Sequence, residues 1–377
     1  MNFKSLTLSM LSAAFLVGCG KDDKNADEKG SVTEAEELAV IHDIVNNVVI
    51  PTYKDLNDKT TVLKASLDAL RANPTAETLK KAREAWSTAR SPWEQSEAFL
   101  WGPVKKPNDL DGAMDDWPSD LEGMQEVVKA STPITPEVIT ANNNTRGFHL
   151  IEFLIWGEDG NNPIKAEALI DNGSNKADRK KEYLEAASVD LKTNTQTLYS
   201  LWEDANGFKK EFLNPALTND TYKSTKNALS EIVSGLWTIA DEVGASKITK
   251  SFNPKENNGN PDPSKEESRF SNNTRKDFAD NMRSIQNVYL GKFDYAGKQG
   301  KGLTDLIKKL DPQLDAKMKA QIEKAIADIE AIPVSYADAI INNRPAVAKA
   351  QATVLELREI IQKELGKYYN VVEPKED

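Results

Sequence analysis

His149 stands three residues before Glu152 in a stretch, Phe148 to Trp156, whose other side chains are all apolar. A helix here would be hydrophobic nearly all round and therefore buried. Residues three apart share a helix face, so the imidazole and the carboxylate point the same way. Each needs a partner: a metal, a bound ligand, a facing polar side chain, or the other member of the pair. From the residues alone, a structural hydrogen-bonded pair and a functional site both stand open. The only other histidine, His42, sits among Val40, Ile41, Ile44 and Val45 and reads as a boundary residue with no chemical role. Any metal site must then combine one imidazole with oxygen ligands. That donor set suits iron or another hard divalent or trivalent cation better than a two-histidine zinc site. No Gly-x-Ser-x-Gly nucleophile motif occurs.

Trp86, Arg90, Trp93, Glu97 and Trp101 are spaced by four, three, four and four and form one helical stripe. Burying Arg90 and Glu97 within it is costly unless they are paired, so the stripe is either a salt-bridge network or the wall of a functional site. Asp109, Asp111, Asp115 and Asp116 around Gly112 invite a calcium reading. With Gly112 as the sixth loop position, however, Pro107 and Pro118 fall where an EF-hand needs carboxylates. The segment reads instead as a solvated acidic loop tucked against the protein by Trp117-Pro118.

These residues need a scaffold, and the pattern for one is helical. Stretches of 3.6-residue period run over 35–72, 76–101, 179–203, 219–244, 265–290, 313–342 and 345–366, with no competing alternating run. Thr33 to Glu36, Ser119 to Glu122 and Ser264 to Glu267 have capping-box spacing, and Pro136, Pro312 and Pro345 suit first helical turns. Pro51 and Pro92 fall inside helical pattern and are expected to kink or break it. Polar loops are expected over 157–177 and 253–263. The expected fold is all-α: two antiparallel helical bundles, residues 35–205 carrying the His149 motif and residues 206–377, divided near Asn206-Gly207. Phe99-Leu100-Trp101-Gly102 and Val288-Tyr289-Leu290-Gly291 echo each other, compatible with duplication.

At the start of the chain, Lys4 precedes an apolar run from Leu6 to Val17 that is too short to span a bilayer and shaped like a secretory signal. It ends in Leu16-Val17-Gly18-Cys19, which resembles a bacterial lipobox. Cys19 is the sole cysteine, so no intramolecular disulfide forms and lipidation is its expected role. Residues 1–18 are read as the signal and 19–34 as a flexible acidic tether. Gly20 is not an inner-membrane retention aspartate, so an outer-membrane lipoprotein is expected, on the periplasmic face or the cell surface. A net charge of −11 argues against nucleic acid as a partner.

Gly147-x-His149-x-x-Glu152, continuing to Gly157, resembles the motif of the imelysin-like proteins, a bacterial family that includes insulin-cleaving metallopeptidases and iron-regulated uptake proteins. Trp86 through Arg90 to Glu97-Ala98-Phe99, Asp116-Trp117-Pro118, and Glu267-Ser268-Arg269-Phe270-Ser271 with Thr274 and Asp277 resemble its other signature stretches in order. Together they cover residues 35–370. The resemblance implies two helical bundles and a link to iron acquisition, with possible partners among outer-membrane uptake proteins. It also implies a site to which His149 and Glu152 contribute from the first half and Ser268, Arg269 and Ser271 from the second. The expected ligands for a metal or small metal complex are His149, Glu152 and Glu97, with Arg90 and Trp93 lining the site. A metal-dependent peptidase with Glu152 as its base is the rival, and a non-catalytic partner-binding lipoprotein a third reading. Cys19→Ala should leave an unprocessed or mislocalised precursor without acyl label in a metabolic labelling experiment; normal cutting and release would contradict the lipoprotein expectation.

Overall fold

A computed structural model describes residues 30–105, 109–141, 143–294, 297–333 and 335–372. The signal and Cys19 lie outside the described residues. The first helix, α1 (Glu34–Ile44), starts as its capping box dictates: Thr33 accepts from the Glu36 amide while the Glu36 carboxylate takes the Thr33 amide. It passes through a π-helical turn, Val45–Val49, into α2 (Ile50–Ala72). Pro51 falls in the first turn of α2, so the helix runs through it rather than breaking; the wider π turn absorbs the proline. Pro92 lies inside α3 (Ala76–Glu94), two residues before its end.

The first group of helices is completed by α4 (Leu110–Asp115), α5 (Gly147–Trp156) and α6 (Ala177–Glu203). Within it α2 packs on both α3 and α6, and α5 on α3 and α6. The second group comprises α7 (Thr225–Asp241), α8 (Thr274–Leu290), α9 (Pro312–Glu330) and α10 (Arg344–Lys363). There α9 packs on α8 and α10, and α7 on α10. Neither group is isolated. α1 packs on α7, α3 on α8, and one continuous core joins side chains from both. The only strands among the described residues are the two-residue pair Lys292–Phe293 and Lys298–Gln299. No helix among the described residues is long and apolar enough to cross a membrane.

Several boundaries depart from the sequence pattern. α3 stops at Glu94, and Glu97 lies in a separate 3-10 turn, Glu97–Phe99. The helix expected from 265 begins only at Thr274, after a non-helical segment in which Ser268 and Asn272 adopt left-handed backbone. Asp120, not Ser119, caps Leu121–Lys129, and Asp262, not Ser264, caps the 3-10 turn Pro263–Lys265. Both echoing motifs end in a left-handed glycine, Gly102 and Gly291, but a 3-10 turn follows the first and the hairpin the second.

Gly147 sets the position of α5. Its φ is +79°, and a Cβ there would meet the Met114 carbonyl oxygen at 2.4 Å, so the start of α5 abuts the end of α4. Gly147→Ala should cost about 1 to 3 kcal/mol through backbone strain alone, read as a lower urea midpoint; an unchanged midpoint would contradict this contact.

Candidate functional site

Arg90 is fully buried on α3 and is the hub of the site. An unpaired guanidinium there would cost several kcal/mol, and carboxylates from three other segments besides its own helix meet it. Glu94, one turn along α3, is 2.5 Å away. Asp115 at the end of α4 pairs with Nη1, and Glu267 accepts from Nη2 at 2.9 Å. Asp277 on α8 is 3.6 Å from Nε. The Phe148 ring lies under the guanidinium, 5.4 Å from its centroid. Trp93 donates from its indole to Asp115 at 2.6 Å.

His149 enters this cluster from α5 and is 1% exposed. Its Nδ1 is 3.0 Å from Glu152 Oε2, the expected one-turn pair. Its Nε2 is 3.2 Å from Asp115 and 3.8 Å from Glu267. Glu152 is held in turn by the second half of the chain, for its Oε1 accepts from both the amide and the hydroxyl of Ser271 at 2.7 Å. Ser268 donates to Asp277 at 2.5 Å. The Trp117 ring covers the imidazole at 4.9 Å, which is the tuck expected of Trp117-Pro118.

The sequence-derived residues therefore separate. His149, Glu152, Arg90, Trp93, Ser268 and Ser271 come together. Arg269 does not: its guanidinium stacks on Phe270 and reaches the Glu158 carbonyl, bracing the loop outside the cluster. Glu97 is buried, lines the adjoining cavity and brings a carboxylate oxygen within 4.8 Å of Glu94 and Asp115, while Arg90 pairs with Glu94 rather than with Glu97. The acidic loop is not simply solvated, since Asp115 is a central member with its side chain 5% exposed. Sequence reasoning missed Asp115, Glu94 and Lys247 and assigned Glu267 to a helix cap. The available signal was Arg90 itself, whose burial demands several carboxylates. His42 donates to or accepts from nothing in this region; its Nε2 meets the Leu213 carbonyl at 2.8 Å.

The electrostatics follow from the crowding. Burial and Arg90 oppose the charged imidazole, yet hydrogen bonds to Asp115, Glu152 and Glu267 hold its pKa well above the ordinary histidine value. Burial would raise Asp115, but Arg90 and His149 keep it far below the usual range. Glu267, also opposed by burial, is drawn to about 2 chiefly by Lys247, then by His149 and Arg90. Its ionised form therefore contributes stability above about pH 4.5 that is lost as pH falls toward 2. Burial raises Asp277 to about 6.

Beside the cluster lies a cavity of about 570 Å³ whose lining includes Asp115 and Glu267. Glu97, Asp111 and Glu242 face it together with Lys247, and Lys247 bonds Glu267 at 3.1 Å. Burial, then Asp115 and Glu242, lifts Asp111 to about 7. Two sets of donor atoms converge within 4.8 Å: Asp115, His149 and Glu267, and Glu94, Glu97 and Asp115. The first set, one imidazole nitrogen with two carboxylate oxygens, fits a hard or borderline cation.

An all-helical protein with a buried His-Arg-carboxylate centre is the class this geometry defines. Residues 49–363 match the Imelysin family (Peptidase_M75), and the chain belongs to that family. It is 27% identical over 330 residues to iron-regulated protein A of Synechococcus elongatus, covering 86% of this chain and 85% of that one. The crystal structure of a putative iron-regulated protein A precursor from Parabacteroides distasonis superposes with a TM-score of 0.77 at 28% identity, over 89% of this chain and 95% of that chain. An imelysin-like protein from Psychrobacter arcticum shares the fold, with a TM-score of 0.67 at 13% identity over 91% and 98% of the two chains.

Arg90→Met should destabilise the protein by about 3 to 5 kcal/mol by stranding buried carboxylates, and Arg90→Lys should not restore it because an ammonium lacks the planar fork. Denaturant titration of both variants checks this; a loss below about 1 kcal/mol in Arg90→Met would show that the carboxylates are not dependent on it.

Proposed function

We propose that this imelysin-family protein is an outer-membrane lipoprotein of iron acquisition that binds iron, another metal or a metal-bearing ligand at Asp115, His149 and Glu267. The carrying observation is the orientation of His149. Glu152, fixed by Ser271, is placed to accept a hydrogen bond from Nδ1–H, which leaves Nε2 directed at two carboxylates. A neutral Nε2 faces the Asp115 carboxylate at 3.2 Å with the Arg90 Nη2 donor 3.4 Å away, so a proton or a metal between nitrogen and carboxylate would complete a pairing that the guanidinium otherwise only shares. Arg90 is the resident cation competing for the same oxygens, and an entering metal would have to share them. The resemblance of Leu16-Val17-Gly18-Cys19 to a lipobox supports membrane attachment, and the name of the Synechococcus relative supports the link to iron.

The peptidase reading needs a base free to take a proton from water. Glu152 is poorly placed for it, because both of its oxygens are occupied and it is fully buried. A purely structural cluster is the remaining contrary reading, favoured by the completeness of Arg90's ion pairing.

Metal binding must expel the Nε2 proton, so affinity should rise about tenfold per pH unit while His149 is protonated. Calorimetry with Mn(II) and anaerobic Fe(II) between pH 5.5 and 7.5 measures this. His149→Ala should abolish binding while the fold persists, and no chelator-sensitive cleavage of unfolded polypeptides should accompany the protein. Equal binding by His149→Ala would remove the site assignment, and turnover lost in Glu152→Gln and restored by metal would establish the peptidase.

A further inference from the structure

Two cations of the chain hold the Glu267 carboxylate, and they differ in what else holds them. Arg90 donates to Oε1 at 2.9 Å, but it is fully buried and is also bound by Glu94, Asp115 and Asp277, so it has no other place to go. Lys247 reaches both oxygens, Oε1 at 3.2 Å and Oε2 at 3.1 Å. Its side chain is 12% exposed and lines the cavity of about 570 Å³. The second partner of Lys247 is Glu242, 3.6 Å away and 43% exposed. These two residues share a face because Glu242–Lys247 is a π-helical turn, in which the Ile248 amide bonds back five residues to the Val243 carbonyl. In a regular α-helix residues five apart point about 140° away from each other. Single π turns of this kind recur at functional sites. Burial opposes the charge of the ammonium, but Glu267 first and Glu242 next hold its pKa well above the ordinary lysine value.

A metal at Asp115, His149 and Glu267 needs a Glu267 oxygen that Lys247 occupies, and an ammonium left on that carboxylate would repel the incoming cation. We propose that Lys247 is a placeholder for the metal: it neutralises Glu267 while the site is empty and moves over to Glu242 when a metal enters. The movement is short, since Glu242 is already 3.6 Å from the ammonium and the cavity borders Glu242, Lys247 and Glu267 alike. This rests on the proposed metal site and adds to it the way that site is regulated. Entry becomes an exchange of one cation for another, so Glu267 is never left buried without a counter-charge.

The test is calorimetric titration of Mn(II) into the purified full chain at one fixed neutral pH. Lys247→Met removes the competing charge and should bind Mn(II) about tenfold more tightly than the unaltered protein. Glu242→Gln removes the destination of the lysine and should bind several-fold more weakly. Glu231→Gln controls for charge at a distance: Glu231 is an exposed carboxylate of the same cavity whose charged neighbour is Lys105, and its loss should change affinity by less than about twofold. Adding Glu242→Gln to Lys247→Met should have no further effect, because no lysine is left to receive. Binding that Lys247→Met leaves unchanged or weakens, or a loss from Glu242→Gln of equal size with and without Lys247, would overturn the placeholder role while Mn(II) binding by the unaltered protein kept the metal site standing. Should circular dichroism show Lys247→Met unfolded, the comparison of Glu242→Gln with Glu231→Gln decides, and equal effects would overturn the role. Failure of the unaltered protein to bind Mn(II) would overturn both.

Discussion

A single buried guanidinium organises this protein's interior. Arg90 can remain fully buried on α3 only because Glu94, Asp115, Glu267 and Asp277 surround it; in return it opposes the burial that would neutralise Asp115, while Glu267 leans first on Lys247. Removing water from one charge costs several kcal/mol, so the cluster is stable as a set and unstable in parts. Its members come from α3, α4, α8 and the non-helical segment before α8, which ties the two groups of helices together by charge as well as by the shared core.

The apolar helix α5 supplies what the guanidinium cannot. It is embedded on all sides because nearly every side chain on it is apolar, and that burial gives its two polar residues fixed positions. Gly147 allows α5 to meet α4 closely, bringing His149 to Asp115. Ser271 holds Glu152, and Glu152 holds the imidazole. The imidazole thereby presents Nε2 to the same oxygens that Arg90 uses. A cation entering there, as proposed, would compete with a proton and a guanidinium for two carboxylates, which is what would make its binding reversible and pH-dependent.

Much of this was legible in the sequence where local pattern and burial agree. The apolar run around His149 and Glu152 predicted a buried helix with a one-turn polar pair, and both are present. The aromatic stripe placed Trp86, Arg90 and Trp93 correctly because α3 is regular there. Legibility ended where the chain leaves regular structure. Asp115 lies among Asn, Asp and Gly residues that read as solvent-facing, and only the long-range demand of Arg90 buries it. Glu267 has capping-box spacing from Ser264, but no helix starts there; left-handed turns at Ser268 and Asn272 carry the chain past the site first. The same turns send Arg269 outward while Ser268 and Ser271 face in, a distinction that sequence adjacency does not encode. Glu97 left the stripe because α3 ended three residues earlier.

The proposed site requires His149 Nε2 to exchange its proton for a metal while Nδ1–H stays hydrogen-bonded to Glu152. Nitrogen NMR of the ring tests it directly, and with only two histidines in the chain the assignment is simple. In metal-free protein both nitrogens of His149 should remain protonated well above pH 6.5; adding a diamagnetic divalent metal should strip the proton from Nε2 and leave Nδ1–H intact. An imidazole that titrates at the ordinary value without metal, or one that responds to metal by losing the Nδ1 proton, would contradict it.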